Sequence, residues 1–510
     1  IASVCAPDDL PDWFEAVRFV HHPRPDTEIA TLIERRHPAQ KRLAFDELLA
    51  QRISIKIARS TAEVATARSF GAVPELRRDL IAALGFQLTG AQRRVLDEID
   101  ADLGATHPML RLLQGDVGSG KTAVAALAAL PVLGAGAQVA LMAPTELLAR
   151  QHGANFARWF DQIDIPVVSL SGQASARERR DALARLDRDT PLLATGTHAL
   201  FQHGVNFADL GLVIIDEQHR FGVNQRLALR DKGRGQATPH QLIMTATPIP
   251  RTLAMSLYAD LDVSTIDELP PSRKPVRTRV VSEERREEIV SRVGAALTEG
   301  RQVYWVCPLI EQSESLSAQA ATEIHADLAE RLPAFRVGLV HGRMSDAEKN
   351  AAMQAFRDGE VRLLVATTVI EVGVDVPDAT LMIIENAERL GLAQLHQLRG
   401  RVGRGGMASD CLLLYQAPLS ALARERLAIM RETNDGFRIA ARDLELRGPG
   451  EVLGVRQAGV PDLRIADLVR DADLHGPVAE AADELIETAP EDAERLMQLW
   501  LGNVLKFREA

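Results

Sequence analysis

The stretch GDVGSGKT, Gly115 to Thr122, constrains this chain more tightly than any other segment of it. It fits the pattern of a glycine, four free positions and then Gly-Lys-Thr. It directly follows MLRLLQ, an apolar run of strand length, and directly precedes the alanine-rich TAVAALAAL. Strand, glycine loop and helix in that order form the setting in which such a loop closes around phosphate. Gly115, Gly118 and Gly120 let successive backbone N–H groups curl toward an anion, and the helix N-terminus adds the positive end of its dipole. Lys121 supplies a point charge for the β- and γ-phosphates of ATP, and Thr122 a hydroxyl that can ligate Mg²⁺.

The surrounding pattern supplies the architecture such a loop needs. Residues 1–85 are polar and helix-like, with HPAQKRLAFDELLAQRISIKIA reading as an amphipathic helix, and are expected to form a connector. Over 86–267, short apolar runs (MLRLLQ, QVALMA, VVSL, PLLATG, LGLVIID, HQLIMTAT) alternate with helical stretches, the signature of parallel βαβ units. The pattern repeats over 268–418 with VRTRVV, QVYWVCP, RVGLVHG, VRLLVATT, TLMIIEN and CLLLY. Between the two lies DELPPSRKP, proline-rich like a hinge linker. The expected fold class is α/β: two doubly wound parallel-sheet domains in tandem, with a C-terminal helical region over 419–510.

In LGLVIIDEQH a buried-type strand ends on two adjacent carboxylates. A phosphate-loop site needs a strand-end carboxylate for Mg²⁺, and Asp216 is placed for that. Neighbouring positions at a strand end point in different directions, so Glu217 is free for a second role, orienting and deprotonating the attacking water. In the second domain, VRLLVATTVIEVGVDVP puts Glu371, Gly373 and Asp375 on the loop after a strand, and QLHQLRGRVGRG sets Arg399, Arg401 and Arg404 among Gly400 and Gly403. Arginine pairs bidentately with phosphate and glycine permits close backbone approach, so the two domains are expected to close over ATP. His341 and His396 read as hydrogen-bonded residues rather than metal ligands, because no second ligand sits at metal spacing.

Bulk properties remove other classes. A formal net charge of -11 excludes a globally basic coat, so any nucleic-acid site must be a local channel. Cys5, Cys307 and Cys411 are too dispersed for a disulfide framework or a CxxC metal site, which favours a reducing, cytoplasmic setting. No apolar run approaches the roughly 18–20 residues of a membrane span, and no membrane partner is expected. The absence of an initiating methionine suggests a fragment of something longer. The acidic positions Asp471, Asp473, Glu480, Asp483, Glu484 and Glu487 read as a solvated helix face.

Together these motifs resemble those of the superfamily 2 helicases over residues 86 to 460. GDVGSGKT is similar to motif I, DEQH to motif II, TATPIPRT (245 to 252) to motif III and QLHQLRGRVGRG to motif VI. The resemblance implies two RecA-like domains and an ATP-driven motor. It makes FQLTGAQ the adenine-recognising segment, with Gln92 the base contact and Phe86 a stacking partner. Lys121, Asp216, Glu217, Arg401 and Arg404 become catalytic, and Gly373 and Asp375 join the nucleotide site. Nucleic-acid backbone contacts fall to Pro144 and Thr145 in APTELLARQH, to Thr195, Gly196 and Thr197 in TGTHAL, and to Thr245 and Thr247.

Within the superfamily, DEQHRFGVNQR and DGFRIAARDLELRGPGEVLGVRQAG are similar to the fork-reversing DNA translocases of bacteria, in which a helical hairpin comes after the motor. Gly448, Pro449 and Gly450 are expected to break the helix there, and a loop with Arg447, Arg456 and Gln457 to couple nucleotide state to DNA movement. The implied partners are branched and duplex DNA, read without base sequence, and a single-stranded-DNA-binding protein, with the chain a monomer. The wedge domain that splits fork arms in those relatives has no counterpart in this sequence, so the expectation drawn from it is of the motor. A translocase of the transcription-repair coupling type, a nucleotide-gated binding protein without sustained movement, and an RNA helicase stay open as alternatives.

Overall fold

The computed structural model describes residues 7, 9–63, 66–172, 175–202, 204–217, 237–246, 261–271, 273–308, 314–368, 376–451, 463–468 and 470–502. They fall into two units. An α/β unit spans Ala67–Pro248 and Ser264–Leu446, and a helical unit gathers Ile1–Thr66, Ile249–Val263 and Arg447–Ala510.

The helical unit begins with α1 (Trp13–His21), α2 (Ile29–Ile33) and the long α3 (Pro38–Glu63). Asp12 caps α1 by accepting from the Glu15 N–H. Ala16 of α1 and Ala39 and Leu43 of α3 form a small core with Trp13, Val17, Ile465 and Trp500. The buried Glu47 carboxylate accepts the backbone N–H groups of Arg464 (2.6 Å), Ile465 (2.8 Å) and Ala466 (2.8 Å), fixing the C-terminal segment along α3.

In the α/β unit, the first lobe runs α4 (Pro74–Leu84), α5 (Gly90–Leu103), β1 (Leu110–Gly115), α6 (Lys121–Gly134), β2 (Gln138–Met142), α7 (Glu146–Phe160), β3 (Val167–Leu170), α8 (Ala176–Leu186), β4 (Leu193–Gly196), β5 (Leu210–Asp216), β6 (His240–Thr245) and β7 (Asp262–Ile266). The described strands form one sheet in the order β3-β4-β2-β5-β6-β1-β7. α6 is apolar on every side, its residues buried from Ala123 to Leu133, because it lies between the sheet and α4 and α5. Helix starts are locally encoded. Thr89 with Gln92, and Ser175 with Glu178, form reciprocal capping boxes.

The second lobe runs β8 (Arg277–Ser282), α9 (Arg286–Thr298), β9 (Gln302–Val306), α10 (Glu314–Arg331), β10 (Val337–Val340), α11 (Asp346–Arg357), β11 (Leu363–Ala366), β12 (Ala379–Ile384), α12 (Leu392–Arg399) and β13 (Asp410–Tyr415). Its sheet order is β10-β11-β9-β12-β13-β8. Both faces are buried, so successive residues of a strand serve opposite cores: Tyr304 and Val306 pack on one side of β9, Val303 and Trp305 on the other. Then come α13 (Ala421–Glu432) and α14 (Gly436–Glu451), and, in the helical unit, α15 (His475–Thr488) and α16 (Pro490–Leu501).

Two expectations change. α14 continues through Gly448, Pro449 and Gly450 and ends at Glu451. The break expected at this triplet is absent because Pro449 lies in the last turn, where a missing N–H removes one helical bond and the helix stops soon after. The C-terminal acidic residues also differ among themselves. Asp471 is buried and accepts from the Asp467 N–H (2.8 Å) and the Arg470 guanidinium (2.5 Å), whereas Asp473 and Asp483 are exposed as expected, paired at the surface with Lys41 and Lys56. Glu480, Glu484 and Glu487 are exposed as expected.

Candidate active site

Parallel strands deliver their carboxyl ends to one side of the sheet, where open α/β sheets bind ligands. β1, β5 and β6 end there on the phosphate loop, on Asp216–Glu217 and on Thr245–Ala246. A cavity of about 350 Å³ opens at these ends, lined by Phe86, Gly118, Gly120, Lys121, Thr122, Asp216, Glu217 and Ala246 from the first lobe and by Gln397, Arg401 and Arg404 from the second. The fold therefore brings together residues that the sequence separates by more than three hundred positions.

The loop has left-handed backbone at Gly118 (φ +77°) and Gly120 (φ +89°), where a side chain would be strained. A Cβ at Gly120 would also strike the buried Gln92 amide, and one at Gly118 would displace the Arg273 guanidinium. Lys121 folds back on its own loop, donating to the carbonyls of Gly115 (2.8 Å) and Asp116 (3.0 Å). Burial holds its ammonium below the usual lysine range, and the charges of Glu217, Asp216 and Asp116 oppose that shift.

Glu217 and Asp216 are adjacent but differ in environment. Burial, and then the Asp216 charge, push Glu217 up to about 7, against the pull of Lys121, the Ala246 N–H and Arg401. Its backbone is left-handed (φ +54°), an uncommon state for a non-glycine residue that is pinned here by its N–H donating to Met244 O at 3.0 Å. Burial works to raise Asp216 as well, but the hydrogen bond from His152 (2.8 Å) and the positive charge of Lys121 outweigh it and hold this carboxyl below its ordinary range. One carboxylate is thus kept ionised while its neighbour is poised near neutrality, the division that separates a cation ligand from a general base.

The remaining sequence-derived positions are spread more widely. Phe86 is 44% exposed at the cavity mouth, while Gln92 is buried, with its amide accepting from the Thr89 N–H (2.9 Å) and donating to Ser119 O (2.8 Å). Gln92 thereby ties the FQLTGAQ segment to the phosphate loop. Thr145 caps α7 through the Leu148 N–H (3.3 Å). Thr195, Thr197 and Thr245 are buried at the ends of β4 and β6, and Gly196 packs against Leu170 and Leu200. Pro144 and Thr145 are half-buried. Arg399 lies away from the cavity lining, buried, donating to Met430 O (2.8 Å) and Thr433 O (2.8 Å). Thr247, Glu371, Gly373, Asp375, Arg456, Gln457 and the Arg447 side chain lie outside the described residues.

Sequence reasoning missed His152 and Glu146. His152 lies on the apolar stripe of α7 with Leu148, Ala149, Phe156 and Phe160, and a histidine on a buried stripe is the signal that could have found it. Glu146 accepts from Ser171 Oγ (2.7 Å), the Gly172 N–H (2.8 Å) and Thr197 Oγ1 (3.3 Å), locking three strand-end loops together.

The geometry agrees with the comparisons. The DEAD/DEAH box helicase family matches residues 89–256, the helicase conserved C-terminal domain matches 286–406, and the C-terminal part of domain 3 of the ATP-dependent DNA helicase RecG matches 433–506. The ATP-dependent DNA helicase RecG of Haemophilus influenzae is 55% identical over 491 residues, 96% of this chain and 71% of that protein. The Escherichia coli K12 RecG is 55% identical over 97% of this chain and 72% of its own length. A structure of RecG bound to a three-way DNA junction superposes with a TM-score of 0.74 at 40% identity, covering 92% of this chain and 60% of that one. With its motor motifs gathered in one cleft and relatives this similar over most of their length, the chain belongs to the RecG family of ATP-dependent DNA helicases.

Proposed function

We propose that this chain uses ATP hydrolysis to move along duplex DNA and to remodel branched junctions, as in fork reversal and branch migration. The observation that carries the reading is the cleft itself, where Lys121, Asp216 and Glu217 of one lobe face Arg401 and Arg404 of the other. The three-way junction held by a RecG relative supports branched DNA as the substrate class. In this reading Lys121 leaves its loop carbonyls for the phosphates, Glu217 takes a proton from the attacking water, and Arg401 and Arg404 neutralise the transferring phosphoryl group. Phe86 stacks on the base, Gln92 orients it, and Gly373 and Asp375 complete the nucleotide site.

Thr122 and Asp216 would hold Mg²⁺, which supplies charge neutralisation at the phosphates. Asp216 is an ionised, 15% exposed carboxylate on the same cleft wall as the Thr122 hydroxyl, and this suits a hard cation that keeps most of its water. Among the described residues no cluster of three or more His, Cys, Asp or Glu forms an all-protein cage. The nucleic-acid backbone contacts are assigned to the segments that carry Pro144 and Thr145, Thr195–Thr197, and Thr245 and Thr247, and Arg447, Arg456 and Gln457 couple closure to movement. The linear division is a connector over 1–85, ATP-binding domain over 86–267, second RecA-like domain over 268–418 and translocation region over 419–510. The chain acts as a monomer in the cytoplasm, with a single-stranded-DNA-binding protein as partner. No described helix is long and apolar enough to cross a membrane.

An ATPase assay with single-stranded DNA, duplex, a model fork and RNA side by side tests the reading. Strongest stimulation by fork or duplex, with displacement of a triplex-forming strand from duplex, is expected. Stimulation by RNA alone, or turnover without displacement, overturns it.

A further inference from the structure

Asp116, the first free position of the phosphate loop, is absent from the cavity lining, yet its carboxylate joins three parts of the fold. Oδ1 accepts from the Val117 N–H (2.6 Å) and from His396 Nε2 (2.5 Å), and Oδ2 accepts from the Gly436 N–H (3.2 Å). His396 lies on α12 of the second lobe, and Gly436 is the first residue of α14. The histidine is held in one tautomer. Arg399 donates to its Nδ1 (3.0 Å), which leaves the proton on Nε2 facing Asp116. The same guanidinium donates to the Met430 and Thr433 carbonyls, at the end of α13. One carboxylate therefore fixes the phosphate loop against α12 and, directly and through Arg399, against the α13–α14 junction. Burial works to raise Asp116, but the hydrogen bond from His396, with the Val117 N–H and the charge of Arg273, holds its carboxyl below the ordinary range.

We propose that Asp116 is a positioning residue that transmits the state of the phosphate loop to the head of α14 through His396 and Gly436. Lys121 donates to the Asp116 carbonyl, so a lysine drawn away toward phosphate releases the same peptide whose side chain holds His396 and Gly436. Movement there shifts two interlobe hydrogen bonds at once, and α14 leads into the segment assigned to DNA movement. The inference rests on the translocase reading above.

Gly436→Pro isolates the link. Asp435 caps α14 by accepting from the Phe437 (2.8 Å) and Arg438 (3.3 Å) N–H groups, so position 436 is the first helical position, where proline is well tolerated and only the N–H is lost. Melting temperature, affinity for a fluorescent ATP analogue, fork-stimulated ATPase and triplex displacement are measured on wild type, Gly436→Pro, His396→Ala and His396→Gln. Expected are nucleotide affinity within about twofold of wild type and displacement per ATP reduced about tenfold in Gly436→Pro and His396→Ala, the scale of one charge-assisted hydrogen bond. His396→Gln, whose amide can still donate to Asp116, should recover most of the coupling. Wild-type coupling in Gly436→Pro, or equal impairment of His396→Ala and His396→Gln, overturns the inference. A wild type that fails to displace triplex overturns the translocase reading instead.

Discussion

The two lobes carry the same strand permutation: read outward from one edge, each places its third, fourth, second, fifth, sixth and first strands in that order, with β7 added beyond β1 in the first lobe. The segments leaving the first strand of each lobe differ. After β1, which ends on Gly115, come Gly118, Gly120 and then Lys121, which opens α6. β8 ends on Ser282, and after it come a 3₁₀ turn (Glu283–Arg285) and Arg286, which opens α9 with Glu287 and Glu288 in its first turn. Those carboxylates already occupy the anion-favouring end of the helix dipole. Arg286, the positional counterpart of Lys121, is engaged by Asp327 (2.8 Å) and Glu385 (3.2 Å) and lies over the Trp305 ring. An equivalent platform thus opens on a glycine loop in one lobe and is sealed by its own side chains in the other, so the loop, not the topology, is expected to carry phosphate binding.

Four substitutions sharpen or break that contrast. The second lobe is expected to act on ATP only by reaching across, so Arg404→Ala should lower turnover by about 10³- to 10⁵-fold while ATP affinity changes far less. Single-turnover kinetics beside equilibrium binding decides it, and substantial residual turnover breaks the assignment. Glu217→Gln should lower kcat by about 10²- to 10⁴-fold with bound ATP retained. Because Glu217 must be deprotonated to act and its pKa is raised to about 7, wild-type kcat should rise with pH through that value. The same shift has a stability consequence of opposite sign. A carboxyl raised from 4.5 loses stability as pH increases through about 7, so Glu217→Gln should be more stable than wild type at pH 8 by about 1–3 kcal/mol, and the gap should close below about pH 4.5. Thermal melts at both pH values measure it.

His152→Ala removes the group that orients Asp216 and should raise the Mg²⁺ concentration for half-maximal ATPase about 10- to 100-fold; an unchanged Mg²⁺ requirement would detach His152 from that role. The smallest expected effect on nucleotide is that of Arg286→Ala. Losing the partner of two carboxylates should destabilise the second lobe by about 1–3 kcal/mol and leave ATP affinity unchanged. Altered ATP affinity in a folded Arg286→Ala protein would show that the second platform is not sealed, and the contrast between the lobes would fail.

The features legible in the sequence are those encoded locally. The phosphate loop, the strand ending at Asp216 and the long amphipathic helix α3 each depend on residues within one or two turns or on one strand's alternation, and each appears where its pattern lies. Contacts between distant segments left no such pattern. His152 meets Asp216 across 64 positions and His396 meets Asp116 across 280, and nothing in either neighbourhood names the partner. His396 illustrates the gap, because its reading as a hydrogen-bonded residue holds while the identity of the acceptor needed the fold. The Gly448–Pro449–Gly450 triplet erred in the other direction, since a strong local signal was overridden by its place in the final helical turn.

The position of β1 inside its sheet also bears on synthesis. Leu110 to Gln114 pair with Gln241 to Thr245, strands separated in the chain by the greater part of the lobe. During translation the phosphate loop therefore leaves the ribosome long before the strand that aligns it exists. Such non-local parallel pairing is slow to form and leaves a strand edge open meanwhile. A nascent chain truncated before residue 240 should bind no ATP analogue, and nucleotide capture would then mark completion of the first lobe rather than emergence of its loop.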